Sequence, residues 1–435
     1  MKKITILSFL LLFTTFISCS SDEPAKETLI TPVIVTPSAI TITSASSEFL
    51  YSGETLEILG ANFVNKDYPT KIFLNDIEVT PKSLTNTTLQ VVIPENIRTG
   101  NNVLKIKIDK VVSPDVSFYT LAKGWNQLNL FATNDIINSA IFDENKFIVS
   151  FVDFGSISTI AKITPERNGY KAQGMGLSGG SYGAFKMLNE KNGVITQTGR
   201  AVYTDDTFTT NKSLQVSTKF SPEINGLRIF GIDNTSSILY TIIGSQIYTS
   251  NNGQTVIMNN HPAWSETPFV YRIVIKGFGK SISNNKFYQL GFLVDKKGST
   301  ELSYKNIVME SATGYSDWIV KDTISRSIVN NEKELKFLDI NKIYCVDLIN
   351  KTLLESADQL KSWNIIKNNV HAFFMRSTTK WYVQSDNKIF VTSDAGQTWS
   401  LELELPAGAV VNDISFSDKK IIVSGKKGLL YLKIE

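Results

Sequence analysis

Thr392-Ser393-Asp394-Ala395-Gly396-Gln397-Thr398-Trp399 follows the strand-like run Lys388-Ile389-Phe390-Val391. The physics of the octapeptide is local. The aspartate and the first hydroxyl can bond turn amides, the glycine permits positive φ, and the tryptophan can pack between strands. It reads as a staple on a β-hairpin and not, by itself, as an active site. Working outward, Thr249-Ser250-Asn251-Asn252-Gly253-Gln254-Thr255-Val256 follows Gln246-Ile247-Tyr248 as a degenerate copy. It keeps Thr249, Gly253 and Thr255, while Asn251 replaces the aspartate and Val256 the tryptophan. Tyr203-Thr204-Asp205-Asp206 is a weaker third copy. Strand anchors near Tyr203, Tyr248, Tyr304, Tyr344, Phe390 and Tyr431 recur every 40 to 56 residues or so, which fits four-stranded propeller blades. An earlier blade around Phe147 to Ile163 brings the expected number to six or seven.

The intact octapeptide matches the Asp-box, and residues 122–435 resemble BNR-repeat propellers, the class that includes sialidases and photosystem-assembly-factor-like proteins. Upstream, short alternating strands imply half-buried sheets. Leu56-Glu57-Ile58-Leu59 follows the turn Ser52-Gly53-Glu54, and Asn75-Asp76 joins Lys71-Ile72-Phe73-Leu74 to Ile77-Glu78-Val79 as a hairpin signal. Thr88 to Ile93 and Val103 to Ile108 read as further strands. Gly53-Glu54-Thr55-Leu56-Glu57-Ile58-Leu59-Gly60-Ala61-Asn62-Phe63 resembles the signature of the IPT/TIG family, over about residues 32–121. That resemblance implies an immunoglobulin-like spacer or binding module and no chemistry. The expected fold is therefore all-β, an immunoglobulin-like sandwich followed by a six- or seven-bladed β-propeller.

The N-terminus carries an address. Lys2 and Lys3 precede an apolar run from Ile4 to Ile17, too short for a stable membrane span and flanked like a secretory signal. Phe16-Ile17-Ser18-Cys19 resembles the lipobox of bacterial lipoproteins. The resemblance implies a signal peptide at 1–18, lipidation of Cys19, and a tether over 19–31 that spaces the folded part from the membrane. Ser20-Ser21-Asp22-Glu23 resembles the surface-export signal of Bacteroidetes lipoproteins. The expected location is the outer membrane, lipid-anchored and surface-exposed.

Composition narrows the function. The formal charge of the 435 residues is only +3, which makes no case for nucleic-acid binding. With Cys19 lipidated, Cys345 stands alone and reads as a small buried hydrophobe. The chain has two histidines, His261 and His371, without metal-ligand spacing, so no metal and no cofactor is expected. Gly176-Leu177-Ser178-Gly179-Gly180 matches G-x-S-x-G but lacks a convincing helix after it, and is read as an inter-blade loop. A sialidase needs an arginine cluster, and the arginines available are Arg98, Arg167, Arg200, Arg228, Arg272, Arg326 and Arg376. Arg228-Ile229-Phe230 lacks the proline of the R-I-P motif, and no catalytic residue is assigned. The favoured expectation is a non-catalytic surface lipoprotein whose propeller binds a glycan or a protein. A sialidase-like glycoside hydrolase is the alternative. Trp264, Trp318, Trp363 and Trp381 are the aromatic candidates for ligand contact, each with a blade-core position as its competing role.

Overall fold

In the computed structural model of the chain, the structure describes residues 36–143, 145–152, 158–175, 182–187, 193–197, 200–204, 212–213, 215–217, 228–233, 238–243, 246–250, 255–259, 270–297, 301–312, 319–324, 335–339, 341–358 and 362–435. Every regular element among them is a strand. Cys19, the tether and Ser178 lie outside the described residues.

Ten strands build an immunoglobulin-like sandwich: β1 (Thr41–Ala45), β2 (Phe49–Tyr51), β3 (Thr55–Ala61), β4 (Thr70–Leu74), β5 (Ile77–Val79), β6 (Ser83–Leu84), β7 (Thr88–Val92), β8 (Gly100–Ile108), β9 (Val111–Val112) and β10 (Val116–Leu121). One sheet has the order β1-β3-β7-β6 and the other β2-β10-β8-β4-β5, with β9 on β8. The chain changes sheets between β1, antiparallel to β3, and β2, parallel to β10. Alternating side chains enter one core, with Leu56, Ile58, Leu89, Val91, Leu104 and Ile106 fully buried. Asn75 and Asp76 both have positive φ, 48° and 66°, as a two-residue type I′ hairpin requires. Gly60 is required by space. A Cβ there would sit 2.0 Å from the Thr41 carbonyl oxygen and 2.6 Å from the Phe63 ring. Asn62 follows in the left-handed region at φ 62° and donates from Nδ2 to the Ala39 carbonyl at 2.8 Å. The G-x-N-F pattern thus fixes how β1 and the buried Phe63 close over β3.

Among the described residues seven further sheets follow. The first six blades begin with the inner strands Asp135–Asp143, Tyr182–Met187, Arg228–Asp233, Val270–Lys280, Lys336–Asp339 and Ala372–Met375. Successive blades meet in order, and Val411–Phe416 of the seventh blade packs on Asp135–Asp143 of the first. The ring is closed, and the fold is a seven-bladed propeller. Closure uses β11 (Gly124–Gln127), which leaves the sandwich after two residues and pairs with Leu430–Ile434 as the outer strand of the seventh blade. The third blade carries a fifth strand, Gln215–Ser217, parallel to its outer strand Thr255–Asn259.

One anchor differs from expectation. Tyr203, Tyr248, Tyr304, Phe390 and Tyr431 all lie in the third strands of their blades, but Tyr344 lies in the second strand of the fifth, Lys342–Asp347. The third strand there, Thr352–Ser356, presents the aliphatic pair Leu353 and Leu354, so aromatic spacing alone slipped by one strand. Cys345 is buried in that second strand within the blade core.

Candidate functional site

The octapeptide 392–399, which resembles an Asp-box, occupies the turn between the third and outer strands of the sixth blade, Lys388–Thr392 and Ser400–Glu404. Thr392 Oγ1 donates to Asp394 Oδ1 at 2.6 Å and accepts from the Gly396 amide at 3.0 Å. The Thr398 amide donates to Asp394 Oδ1 at 2.9 Å, and the Thr398 hydroxyl to Oδ2 at 2.5 Å. The Thr392 and Thr398 hydroxyls hold the Asp394 carboxyl down at a pKa of about 2. Ala395 and Gly396 take positive φ, 56° and 88°. A Cβ on Gly396 would come 3.0 Å from the Trp381 ring and 3.1 Å from Ile366 of the neighbouring blade. Trp399 is only half-buried, and its Nε1 donates to the Gly396 carbonyl at 3.0 Å. Lys367 of the fifth blade lies 5.3 Å over its ring and 4.7 Å over Phe390. The fully buried tryptophan beneath the loop is Trp381, packed edge-on against Tyr344 and Phe373. Both Asp394 oxygens accept bonds from its own loop, while Gly396 against Ile366 and Lys367 over Trp399 join the sixth blade to the fifth.

The degenerate copy divides. Thr249 lies in a third strand and Thr255 in an outer strand of the third blade, while Asn251 and Gly253 lie outside the described residues. Trp264, Trp318 and His261 lie outside them too. Trp381 is a core residue and is removed from the ligand candidates, and Trp363 is half-buried against the core of the fifth blade.

The arginines with described partners are separated. Arg167 meets Glu48 of the sandwich at 3.8 Å. Arg376 meets Glu435 at 2.7 Å and donates to the Ser417 carbonyl at 2.7 Å, which fixes the end of the chain under the sixth and seventh blades. His371 Nε2 lies 3.5 Å from Asp386 Oδ1, and Asp386 Oδ2 accepts from Asn369 Nδ2 at 2.6 Å. Asn369 foremost, then His371, pulls Asp386 below the ordinary carboxylate range. Among the described residues no group of three or more His, Cys, Asp or Glu side chains could hold a metal ion.

Other functional contacts have no local sequence signal because their partners lie far apart. On the inner strands, Asp413 Oδ2 accepts from the Ser139 amide at 2.9 Å, and Ser415 Oγ donates to the Ser139 carbonyl at 2.6 Å. This polar tie closes the first blade on the seventh. On the outer side, Trp125 of β11 donates to Glu402 Oε1 at 3.0 Å, and Lys433 meets the same oxygen at 2.6 Å.

Strand direction assigns the two faces. The inner strand of each blade starts at the inter-blade loop, so those loops and the turns between second and third strands share one face. The opposite face carries the turns between first and second and between third and outer strands. Among the described residues the sandwich contacts only this second face. Tyr51 OH and Tyr170 OH are 2.6 Å apart, Phe49 packs edge-on against Tyr170, and Lys420 Nζ donates to Tyr51 OH at 3.0 Å. The first face is turned away. Its described residues in the fifth to seventh blades include exposed Leu348, Ile349 and Val410 beside Asn350, Lys351 and the His371–Asp386 pair.

With this geometry in hand, residues 40–120 match the IPT/TIG domain family. Three solved structures are similar to the chain. "YCF48 bound to D1 peptide" is 15% identical, with a TM-score of 0.49 over 72% of this chain and 95% of that one. A virginiamycin B lyase from Staphylococcus aureus, crystallised with quinupristin, is 9% identical, with a TM-score of 0.48 over 71% and 98%. An auxiliary nutrient binding protein from Bacteroides thetaiotaomicron is 11% identical, with a TM-score of 0.39 over 91% and 97%. No curated protein sequence matches the chain.

Proposed function

We propose that this chain is a non-catalytic surface lipoprotein, anchored through Cys19, whose Asp-box propeller binds a glycan or a protein on the face turned away from the sandwich. The observation that carries this reading is the direction of β11. It enters the propeller from the sandwich side, so the sandwich lies towards one face and, among the described residues, leaves the other clear. A face that points away from a membrane anchor is the one a partner in the medium can reach. Surface proteins use rings of loops for recognition because loops tolerate variation while the scaffold stays rigid. Three of the carboxylates with described contacts fit this role. Asp394, Asp413 and Glu402 are each occupied by neighbouring strands or by their own loop.

The test has two arms. Cys19→Ala should abolish labelling by a lipid precursor and release the chain from membranes. The soluble chain should bind on a glycan array or to a surface protein, with binding weakened by Ile349→Asp, and should leave a fluorogenic glycoside panel uncleaved. Turnover that vanishes on changing one carboxylate would establish the hydrolase instead.

A further inference from the structure

A second concave site lies on the sandwich. A cleft of about 740 Å³ is lined by Leu74, Ile77, Val79, Pro94 and Ile97, with Asp76 and Arg98 among its polar residues. Ile77 is the cross-strand partner of buried Leu74, so both face the same side of the sheet. Ile77 is nevertheless 70% exposed. The inward-facing row therefore outruns the opposing sheet at this corner, and apolar surface is left in water.

The same corner offers backbone. The two-residue turn makes Leu74 and Ile77 a hydrogen-bonded pair, so the next pair, Phe73 and Glu78, is not. The Glu78 N–H and C=O then point away from β4. No strand among the described residues pairs with the outer edge of β5. Charge adds an orientation. Lys105 is matched by Asp115 at 3.7 Å, whereas Asp76 and Arg98 have no ion-pair partner among the described residues. No aromatic ring lines the cleft to stack on a sugar.

An unpaired strand edge, an uncovered aliphatic row and two unmatched opposite charges are together complementary to one class of ligand. We infer that the cleft takes an extended peptide that adds as a strand along β5, lays an aliphatic side chain on Ile77, and sets an acidic residue at Arg98 and a basic one at Asp76. Main-chain bonds supply affinity and the alternate side chains supply selectivity, as in other strand additions. The site is independent of the propeller face, so either can fail without the other.

The probe is a random peptide library displayed on phage and selected on the full chain, with recovered sequences remade as free peptides. The expected result is peptides with alternating aliphatic residues that slow hydrogen exchange at the Glu78 amide. Glu78→Pro removes the outward N–H at an edge position where proline is tolerated. It should weaken binding roughly fivefold, the loss expected for one hydrogen bond. Ile77→Lys should weaken it as well without lowering the melting temperature, and Arg98→Glu should reverse the charge preference of the selected peptides. The inference is overturned if no peptide is enriched, or if the peptides bind the Ile77→Lys chain unchanged and leave Glu78 exchange untouched.

Discussion

Asp394 and Trp381 carry the sixth blade in different ways. Asp394 gains hydroxyl and amide donors only in the folded loop, which depresses its pKa from 3.8 to about 2. A depressed folded pKa gives stability that is complete above the unfolded value and is lost as pH falls through the folded one. Wild type should therefore lose its advantage over Asp394→Asn between about pH 4 and pH 2, read as urea midpoints at each pH. An advantage that stays flat across that window would mean the loop does not hold the carboxylate. Trp381 works by volume. It is fully buried beneath Gly396, so Trp381→Ala should cost about 3 to 5 kcal/mol. The box tryptophan is only half-buried, and Trp399→Ala should cost less than half as much. Equal losses in chemical denaturation would place the two rings in one core. From sequence, the octapeptide disclosed the turn, its glycine and the roles of its aspartate and first hydroxyl. It did not disclose which tryptophan is interior, because burial of Trp381 is set by Tyr344, Phe373 and Ile366 of the fifth and sixth blades.

At the scale of elements, turn chemistry was the most legible part. Asn75-Asp76 predicts its hairpin because two consecutive positive φ values leave few alternatives. Strands such as Thr55–Ala61 and Thr88–Val92 followed from alternation, since each has one buried face. The closing strand was not legible. Gly124-Trp125-Asn126-Gln127 has no strand signature of its own, and its partner is Leu430–Ile434 at the other end of the chain. Two features hold it there. Asn126 Nδ2 donates back to the Ala122 carbonyl at 2.8 Å, which shapes the entry, and Trp125 shares Glu402 with Lys433. Replacing Trp125 with alanine removes a hydrogen-bond donor and a ring lying 5.8 Å from the Lys433 ammonium. Limited proteolysis should then cut near the junction of sandwich and propeller well before it cuts the blades. Cleavage kinetics identical to wild type would show that backbone pairing alone keeps β11 in place.

For the whole molecule, the decisive feature is that the two domains share a core. Tyr51 and Leu121 of the sandwich lie in the same buried cluster as Ile136, Phe147, Ile163 and Ile422 of the propeller. Phe49 stacks on Tyr119 and meets Tyr170 edge-on. Burial, reinforced by Tyr51, drives the Tyr170 phenol well above its ordinary pKa. A near-fully buried lysine, Lys420, lies 4.1 Å over the Tyr51 ring while donating to its hydroxyl. A sandwich seated this way is a mount packed into the propeller's own core. Neither unit can open without exposing apolar surface of the other, so calorimetry of the full chain should give one transition with equal calorimetric and van't Hoff enthalpies. Lys420→Met keeps the aliphatic packing on Tyr51 but removes the ammonium. It should lower stability by about 1 to 3 kcal/mol, the sum expected for a buried cation–π contact and one hydrogen bond, with both domains melting together at the lower temperature. Two resolved transitions in the wild-type scan would break the shared-core account. Two that appear only in Lys420→Met would locate the coupling at that one side chain.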